Sequence, residues 1–515
     1  MASSDVEREP LLSAQEKRQL FRSRSAWRST VEYMNRWGSV WIVCFVAFLS
    51  GVSFALFLMS IWPYLLDMYP ETSTVFYSVV VAAYSLCRAL ASPVFGWWSN
   101  QIGSVRVPLV TGCVLLMLGN VLYVLARLAT GSIAAGVVVL FARAVMGIGA
   151  GTQALTTAYA ATAISGEQRA RAIAMSMAAN VFGAGLGPGF QVLFAFIGDG
   201  VQIAGPIRLD MYTAPAVMSF IAMLIAILLL ATVFTENYSS LADAARTDSS
   251  LSDSEQQQPL PSFDTSAIVV ILFVWFVASC TITTIEAVIS PYMIVMYNWN
   301  SQQAILNTSA LLLMTALISA VLFAVYSWTR LCTYDPRWFV LSGLLMLVLF
   351  HLVTFPWPFY TGKITYTITL NVARNESIEL PGCNDQYVWC EYSPQVPLVV
   401  VVLAYAIFFS FGLSETAAPL GVLYAAVIGP RRMGTMQGIY AQMNALARTV
   451  APLVMMWLFG TYGPSVAWTV EGLLVLVALL AAALAWKRLV PLEASVKVKR
   501  HLLRRSIRAQ STMQY

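Results

Sequence analysis

The feature that most limits the fold of this chain is its series of apolar runs, each about twenty residues long and separated by polar loops. A helix of that length spans the roughly 30 Å hydrocarbon core of a bilayer. Hydrophobic residues make up 58% of the chain and charged residues only 11%, whereas a soluble domain has about 25% charged residues. We therefore predict an all-α membrane protein with twelve spans, at 40–63, 76–98, 107–127, 134–163, 170–197, 212–234, 267–296, 303–329, 338–357, 396–427, 433–460 and 466–486.

A polar stretch divides these runs into two groups of six. It contains TDSSLSDSEQQQP, whose Asp, Ser and Gln content is typical of disordered segments. We therefore expect two six-helix bundles joined by a linker. The predicted segments are a tail at 1–39, an N-terminal bundle at 40–234, the linker at 235–266, a C-terminal bundle at 267–486 with a long loop at 358–395, and a basic tail at 487–515.

Lys and Arg are distributed unevenly between the two sides of the predicted membrane. The side of the N-terminus carries Arg431, Arg432 and the tail from Lys487 to Arg508, whereas the loops on the other side carry few basic residues. Because basic loops stay in the cytoplasm, we predict that both termini are cytoplasmic. The basic tail is interpreted as a topology signal attracted to anionic lipid, so the net charge of +5 does not indicate a nucleic-acid partner.

Two patterns indicate that the bundles are repeats of each other. The pattern P-Y-x-x-x-M-Y begins at Pro63 and again at Pro291, at the ends of the first and seventh runs. In the fifth and eleventh runs an asparagine lies eight residues before a proline, as Asn180 with Pro188 and Asn444 with Pro452. The two sequence offsets differ by about the length of the long loop, so one insertion explains both. Repeats of this kind are typical of secondary transporters, which bind substrate between them.

Three local motifs give the chain a family resemblance. The first is Gly96-Trp97-Trp98-Ser99-Asn100-Gln101-Ile102-Gly103 after the second run, the second is Arg143-Ala144-Val145-Met146-Gly147-Ile148-Gly149-Ala150-Gly151 in the fourth, and the third is Gly183-Ala184-Gly185-Leu186-Gly187-Pro188-Gly189 in the fifth. At these spans they resemble the G-x-x-x-D-x-x-G loop, the arginine motif and the glycine-proline motif of the major facilitator superfamily. The resemblance implies the fold of that superfamily and associates Arg143 with proton coupling. Asn100 replaces the acidic residue, which weakens any charge-relay role for the loop.

The glycines and prolines of these motifs are assigned to helix movement rather than to substrate binding. Gly183 and Gly187 are four residues apart and let helices approach closely, and Pro188 bends its helix. The predicted conformational residues are Gly96, Asn100, Gly103, Gly183, Gly187, Pro188 and Pro452.

Longer strings resemble a lysosomal branch of the same superfamily, and they are LMSIWPYL (58–65), AYSL (83–86), ASPVFGWWSN (91–100), ARAVMGIGAG (142–151) and PGCNDQYVWCEYSP (381–394). This resemblance implies a lysosomal membrane and suggests small anions such as chloride among the substrates. In the N-terminal tail, Glu7, Leu11 and Leu12 fit the acidic dileucine signal E-x-x-x-L-L. Clathrin adaptor proteins bind such signals, so they are the expected protein partners.

The loop at 358–395 lies on the side opposite the termini. Asn375-Glu376-Ser377 is a glycosylation acceptor if that side is lumenal. The same loop contains Cys383 and Cys390, two of only seven cysteines, in a compartment that would be oxidising. We predict a disulfide between them, with two free thiols as the alternative.

Charged residues inside the spans carry the transport hypothesis, and they are Arg88, Arg143, Glu286, Glu415 and Arg448. An ionisable group in hydrocarbon costs at least about 2.5–3.5 kcal/mol at mid-helix, so it faces a partner or a wet cavity. Three arginines against two carboxylates suit an anionic substrate, and a carboxylate in a low dielectric can carry a proton. The alternative is that these arginines and glutamates pair across helices only to hold the bundle together.

The expected geometry places Arg143 and Glu286 in a cavity between the two bundles, with Glu286 as the titrating group. His351 in the ninth run is a weaker candidate for the pathway. Glu471 is near the start of the twelfth run, where we expect a solvated or interfacial position.

Nothing in the sequence indicates an enzyme. There are two histidines, no phosphate-binding loop and no Cys/His cluster with metal-ligand spacing. We therefore predict a transporter of a small solute in a lipid bilayer, without a cofactor, a metal or a nucleic-acid partner. The alternative is a receptor or scaffold that has kept the fold, which the altered loop at Asn100 permits.

Overall fold

The computed structural model describes residues 14–57, 60–69, 72, 74–129, 131–166, 168–195, 197, 200–204, 207–238, 262–299, 301–364, 383 and 387–492. The predicted sorting signal at Glu7, Leu11 and Leu12 lies outside these residues, as does the glycosylation acceptor Asn375. Most of the predicted linker and of the basic tail also lies outside them.

Helices make up most of the described chain, and eleven of them are long and apolar enough to cross a membrane. These spans are Met34–Ala55 (one), Phe76–Ile102 (two), Arg106–Leu128 (three), Ser132–Ala163 (four), Ala214–Thr232 (six), Thr265–Tyr297 (seven), Leu306–Trp328 (eight), Pro336–Thr354 (nine), Leu398–Ile428 (ten), Gly434–Tyr462 (eleven) and Pro464–Leu484 (twelve). Helix Gln168–Ala195 is span five. The predicted all-α fold is confirmed, and each half has its own hydrophobic core.

Several spans belong to longer or composite helices. The full helices of spans one, two and eight are Ala14–Ala55, Thr74–Ile102 and Ser301–Trp328. Span three consists of helix Arg106–Leu125 and the 3-10 turn Ala126–Leu128. Span four consists of helix Ser132–Ala150, the 3-10 turn Gly151–Gln153 and helix Ala154–Ala163. Span ten consists of helix Leu398–Ala404, the π-helical segment Tyr405–Phe409 and helix Ser410–Ile428.

In their described parts, the loops contain two short antiparallel two-stranded sheets. Strands Val201–Ala204 and Ile207–Leu209 pair between spans five and six. Strands Gly362–Lys363 and Pro394–Gln395 pair at the two ends of the long loop between spans nine and ten. The 3-10 turns Arg330–Thr333 and Val388–Glu391 complete the described loop structure.

The C-terminal end of span one was predicted at residue 63, and this is wrong. The span ends at Ala55, and a separate short helix covers Ile61–Met68. Pro63 lies in the first turn of the short helix, where a backbone N–H has no intrahelical partner and a proline is tolerated. Tyr64 in the same helix is buried and stacks on Tyr123 of span three, with 4.6 Å between ring centroids.

Span five is long enough to cross a membrane but is not among the eleven strongly apolar helices, and its polar residues include Arg169, Arg171 and Asn180. It packs closely along span one. A Cβ at Gly183 or Gly187 would collide with the backbone of span one. Small residues therefore bring these two helices together, as in other membrane bundles.

Two asparagines occupy equivalent places in the two halves. Asn180 Nδ2 in span five donates to the carbonyl oxygen of Ala47 in span one at 3.1 Å. Asn444 Nδ2 in span eleven donates to Ser279 Oγ in span seven, also at 3.1 Å. Spans five and one therefore correspond to spans eleven and seven, as the sequence repeat predicts.

The halves meet closely at the end of the bundle where span one begins and span twelve ends, which we call the terminal end. There a Cβ on Gly96 of span two would collide with the backbone of Gly434 at the start of span eleven. Closer to mid-membrane, Gly438 of span eleven packs against the backbone of Ser92. Arg169 Nη2, in the first turn of span five, donates to the carbonyl oxygen of Gly429 at 3.0 Å. Glycine contacts and this hydrogen bond therefore join the two halves at the terminal end.

Asp335 caps the start of span nine. Its Oδ1 accepts a hydrogen bond from the backbone N–H of Arg337 at 3.0 Å, and its carboxylate forms an ion pair with the Arg337 side chain. Burial alone would raise the pKa of Asp335, but the hydrogen bonds and charge of Arg337 outweigh it and lower that pKa.

Candidate substrate site

An ion pair in the C-terminal half forms one side of the site. Arg448 Nη1 and Nη2 of span eleven donate to the two carboxylate oxygens of Glu286 of span seven, at 2.7 and 3.4 Å. The Arg448 guanidinium also lies 4.8 Å from the centroid of the Phe54 ring, which belongs to span one. The pair therefore lies at the boundary between the two halves. Glu286 is therefore paired with Arg448, whereas the sequence led us to expect Glu286 beside Arg143.

Arg88 of span two faces this pair from the N-terminal half. Its charge lies close enough to that of Arg448 for the two to repel each other electrostatically. Arg88 Nη2 donates to Gln153 Oε1 at 2.7 Å, and its buried Nε has no hydrogen-bond partner. Gln153 lies in the 3-10 turn that interrupts span four, and such interruptions often mark functional positions.

Arg143 of span four is buried, with 3% of its surface exposed. Its guanidinium carbon lies 4.4 Å from the centroid of Tyr84 and 5.3 Å from that of Phe57. Nη1 contacts Met146 Sδ at 3.7 Å, and Nε has no hydrogen-bond partner. Aromatic faces therefore hold this cation in a region of low polarity.

Two aromatic rings connect Arg143 to Arg448. Tyr84 lies against Arg143, Phe54 lies against Arg448, and the two ring centroids are 5.6 Å apart. A small cavity, with about 20 Å³ of space for water-sized molecules, lies beside Arg143, Tyr84 and Gln153. Its other polar lining residues are Ser50, Ser53, Asn120, Thr152, Thr156 and Ser219.

Glu415 lies apart from this cluster. Its Oε2 accepts a hydrogen bond from Ser342 Oγ of span nine at 2.7 Å. Of the five charged residues that the sequence singled out, the structure thus brings Arg88, Glu286 and Arg448 together, with Arg143 beyond the aromatic pair. The cluster has three cations and one carboxylate.

Sequence reasoning missed Gln153, Tyr84 and Phe54. A glutamine directly after a glycine-rich stretch inside an apolar span was a usable signal, because a buried amide needs hydrogen-bond partners. The two aromatic residues carried no such signal, since an aromatic ring in an apolar run is the usual composition of a span.

The loop motif after span two forms a contact between the halves. Asn100 Oδ1 accepts the backbone N–H of Gly434 at 3.0 Å, and Asn100 Nδ2 donates to Thr435 Oγ1 at 2.8 Å. Gly103 adopts a φ of +70° beside the Arg432 side chain. The asparagine therefore binds the N-terminus of span eleven without a formal charge.

Pro188 and Pro452 lie inside the helices of spans five and eleven.

Glu471 was expected at a solvated or interfacial position, and this is wrong. Its side chain is 5% exposed, and Oε2 lies 3.4 Å from Nε2 of His351, which is 4% exposed. Glu471 is seven residues into span twelve, about 10 Å along the helix, so it lies well inside the apolar region.

The predicted disulfide between Cys383 and Cys390 is present.

Residues 34–373 match the family profile of the Major Facilitator Superfamily, so the chain belongs to that superfamily of membrane transporters. Over nearly its whole length it is similar to Major facilitator superfamily domain-containing protein 8 of Xenopus laevis, with 28% identity over 508 residues, 95% of this chain and 97% of that protein.

Two solved structures share the fold. The human organic anion transporter MFSD10 (TETRAN) matches with a TM-score of 0.62 and 17% identity, over 87% of this chain and 99% of that one. The proton:xylose symporter XylE of E. coli matches with a TM-score of 0.63 and 17% identity, over 90% of this chain and 99% of that one.

Proposed function

We propose that this protein carries a small anion, such as chloride, across the lysosomal membrane by alternating access, with linkage to protons. The observation that supports an anionic substrate is that two arginines have no carboxylate partner. Among the described residues, Arg127, Arg337 and Arg448 each contact a carboxylate within ion-pair distance, whereas Arg88 and Arg143 contact none.

A buried cation without a carboxylate is unfavourable in a membrane interior, where the cost is at least about 2.5–3.5 kcal/mol at mid-helix. Arg88 and Arg143 each have a buried Nε–H without an acceptor. An anion between them would accept hydrogen bonds and offset the positive charge. Gln153 would orient the Arg88 side of such a site, since its side-chain oxygen already accepts from that residue.

The position of the cluster suits alternating access. Transporters built from repeats bind substrate near mid-membrane, where the repeats meet. Arg88 comes from the N-terminal half and Arg448 from the C-terminal half, and Arg448 also lies over Phe54 of the N-terminal half. Relative movement of the halves would therefore open and close the site. A conductive pathway through the same cluster is the alternative route for the anion.

The lysosomal address rests on the sequence. The acidic dileucine signal at Glu7, Leu11 and Leu12 would bind clathrin adaptors on the cytoplasmic side, where the positive-inside rule predicts both termini. Asn375 would then be glycosylated in the lumen, on the same loop as the disulfide of Cys383 and Cys390.

The second candidate is a receptor or scaffold that keeps the fold without transport. The replacement of the acidic loop residue by Asn100 is the observation that favours it. However, Asn100 still binds the start of span eleven through both Oδ1 and Nδ2. This contact between the two halves favours a protein whose halves move relative to each other, and hence the carrier.

The test is chloride flux into proteoliposomes containing the purified full-length protein, followed with a chloride-sensitive dye, with and without a pH gradient. We expect flux above that of empty liposomes, a response to the gradient, and a strong reduction in Arg88→Gln and Arg143→Gln. Arg208→Gln is the matched control, because Arg208 is exposed in the loop before span six. Wild-type protein that moves neither chloride nor other small anions would exclude the anion carrier and leave the receptor or scaffold.

A further inference from the structure

We propose that His351 and Glu471 form a binding site for one proton inside the membrane. Only the role of this site in coupling depends on the proposed transport function. His351 of span nine and Glu471 of span twelve face each other, with Nε2 and Oε2 3.4 Å apart. Both side chains are almost completely buried. The pair lies within the C-terminal half and shares no residue with the Arg448–Glu286 pair.

The surroundings of the imidazole determine where its protons lie. His351 Nδ1 is 2.8 Å from the carbonyl oxygen of Leu347. A carbonyl oxygen only accepts hydrogen bonds, so Nδ1 carries a hydrogen and donates it. In the neutral ring, the Nε2 lone pair then faces Glu471, and an ionised carboxylate would repel it. One further proton, bound to either Nε2 or Oε2, forms a hydrogen bond between the two atoms and removes this repulsion.

With that proton the dyad has no net charge, whether it consists of a neutral carboxyl and a neutral ring or of a carboxylate and an imidazolium. Without the proton it carries one negative charge. Glu471 Oε1 is buried and has no hydrogen-bond partner among the described residues, so no hydrogen bond from them compensates that charge. The two residues therefore bind and release the proton as a unit.

Among the described residues, the other titratable groups near the dyad are uncharged or already have a hydrogen-bond or ion-pair partner. Cys280 of span seven and Tyr405 of span ten are close enough to Glu471 to interact with its charge. Both are neutral while they keep their own protons. Glu415 contacts span nine at Ser342, about 13 Å along the helix from His351. From span eleven, Arg448 pairs with Glu286.

Packing connects the dyad to the substrate site. Trp468, one turn before Glu471, donates Nε1–H to Thr354 Oγ1 of span nine at 2.9 Å. The same indole stacks on Tyr292 of span seven, with 5.2 Å between centroids. Span seven also carries Glu286, so a shift of spans nine and twelve on proton release would move one partner of the Arg448–Glu286 pair. Tyr405 lies in the π-helical segment of span ten, a feature frequent at functional sites.

The test measures the thermal unfolding temperature of the detergent-purified full-length protein between about pH 5 and about pH 8, the range in which histidine usually titrates. We expect the wild-type temperature to fall as the pH rises, because the folded dyad holds a proton that the unfolded chain releases. In Glu471→Gln the amide donates to Nε2 in place of that proton and keeps the folded imidazole neutral, so the temperature should no longer fall as the pH rises. Glu415→Gln is the matched control, because it removes another carboxylate from the same half and should keep the wild-type slope.

A wild-type temperature that does not vary with pH overturns the proposal without any variant, and so does an unchanged slope in Glu471→Gln. If the single variant does not fold, the double variant His351→Gln with Glu471→Gln restores a pair of hydrogen-bonding amides, and its unfolding temperature should be nearly independent of pH because neither group titrates. Chloride flux separates the two proposals. Wild-type protein without flux overturns the anion carrier, whereas the unfolding profile still decides on the proton site.

Discussion

The guanidinium of Arg448 lies over the ring of Phe54, 4.8 Å from its centroid, and so connects the C-terminal half to span one. The same guanidinium binds Glu286 of span seven at 2.7 Å. Spans one and seven are equivalent helices of the two halves, and one side chain contacts both. Movement of the halves would break the contact with Phe54 and leave the ion pair intact, because Arg448 and Glu286 move together.

The charge balance at this junction gives the first prediction. Glu286→Gln keeps the shape of the side chain and removes the one carboxylate of the cluster, so an anion should bind more tightly. The pair is partly exposed, at 16% for Arg448 and 35% for Glu286, so the effect should be about 1 kcal/mol, or about fivefold. The measurement is the chloride concentration that gives half-maximal flux in proteoliposomes. Glu415→Gln, away from the cluster, should leave it unchanged, and an unchanged value in Glu286→Gln would place the anion elsewhere.

Asn100 gives the second prediction, on the contact between the halves. Asn100→Ala removes the acceptor for the backbone N–H of Gly434 and the donor to Thr435. We expect faster hydrogen exchange at the start of span eleven, measured by mass spectrometry. Asn100→Asp is the control, because a carboxylate still accepts that N–H and is favoured at a helix N-terminus. Equal protection in the wild type and Asn100→Ala would show that the glycine packing of Gly96 alone holds this end closed.

The sequence predicted those features that depend on periodicity and repetition. Apolar runs located the spans, and the matched spacing of Asn180 and Asn444 identified spans five and eleven as equivalent helices, in which the structure gives both asparagines a hydrogen bond to the first span of their half. Two cysteines in one loop predicted the disulfide. Each of these features follows from positions along the chain alone.

Partners across helices depend on helix rotation, which sequence position does not determine. Glu286 and Glu415 are both carboxylates inside spans, yet one faces Arg448 and the other Ser342. Glu471 was placed near the membrane surface because the predicted span twelve begins only five residues earlier, at residue 466. The structure buries it against His351, since two turns of helix already reach well into the membrane.

The disulfide gives the third prediction. Cys390 follows Trp389, whose indole packs on Gly463 and donates Nε1–H to the carbonyl oxygen of Gly460 at 3.3 Å. The bond closes a short loop and so holds this tryptophan against the end of span eleven. Replacing both Cys383 and Cys390 with Ser should reduce stability by about 2–3 kcal/mol. A reductant should lower the unfolding temperature of the wild type to that of the variant, and Cys332→Ser, at a free thiol, should keep the response.

The fourth prediction concerns the cellular address. Replacing Leu11 and Leu12 with Ala removes the two apolar side chains that a clathrin adaptor would bind, so the protein should move from lysosomes to the cell surface. Surface biotinylation and imaging against a lysosomal marker measure the shift. Leu20→Ala is the control, because it removes a leucine of the same tail outside the signal. Lysosomal residence of the double variant would show that another signal directs the protein.

Arg143 gives the last prediction, because its environment distinguishes a planar cation from a point charge. The guanidinium lies 4.4 Å from the centroid of Tyr84 and 5.3 Å from that of Phe57, in a site that is 3% exposed. Lysine keeps a positive charge but loses the planar group that stacks on the rings, and a buried ammonium gives up its proton more readily. Stacking of this kind contributes about 0.5–2 kcal/mol, so Arg143→Lys should reduce chloride flux about tenfold while size-exclusion profiles show a folded protein. Tyr84→Leu should reproduce much of this loss, and Tyr84→Phe, which keeps the ring, should not. Wild-type flux in Arg143→Lys would mean that the charge alone is required and that the aromatic contacts serve only to pack the helices.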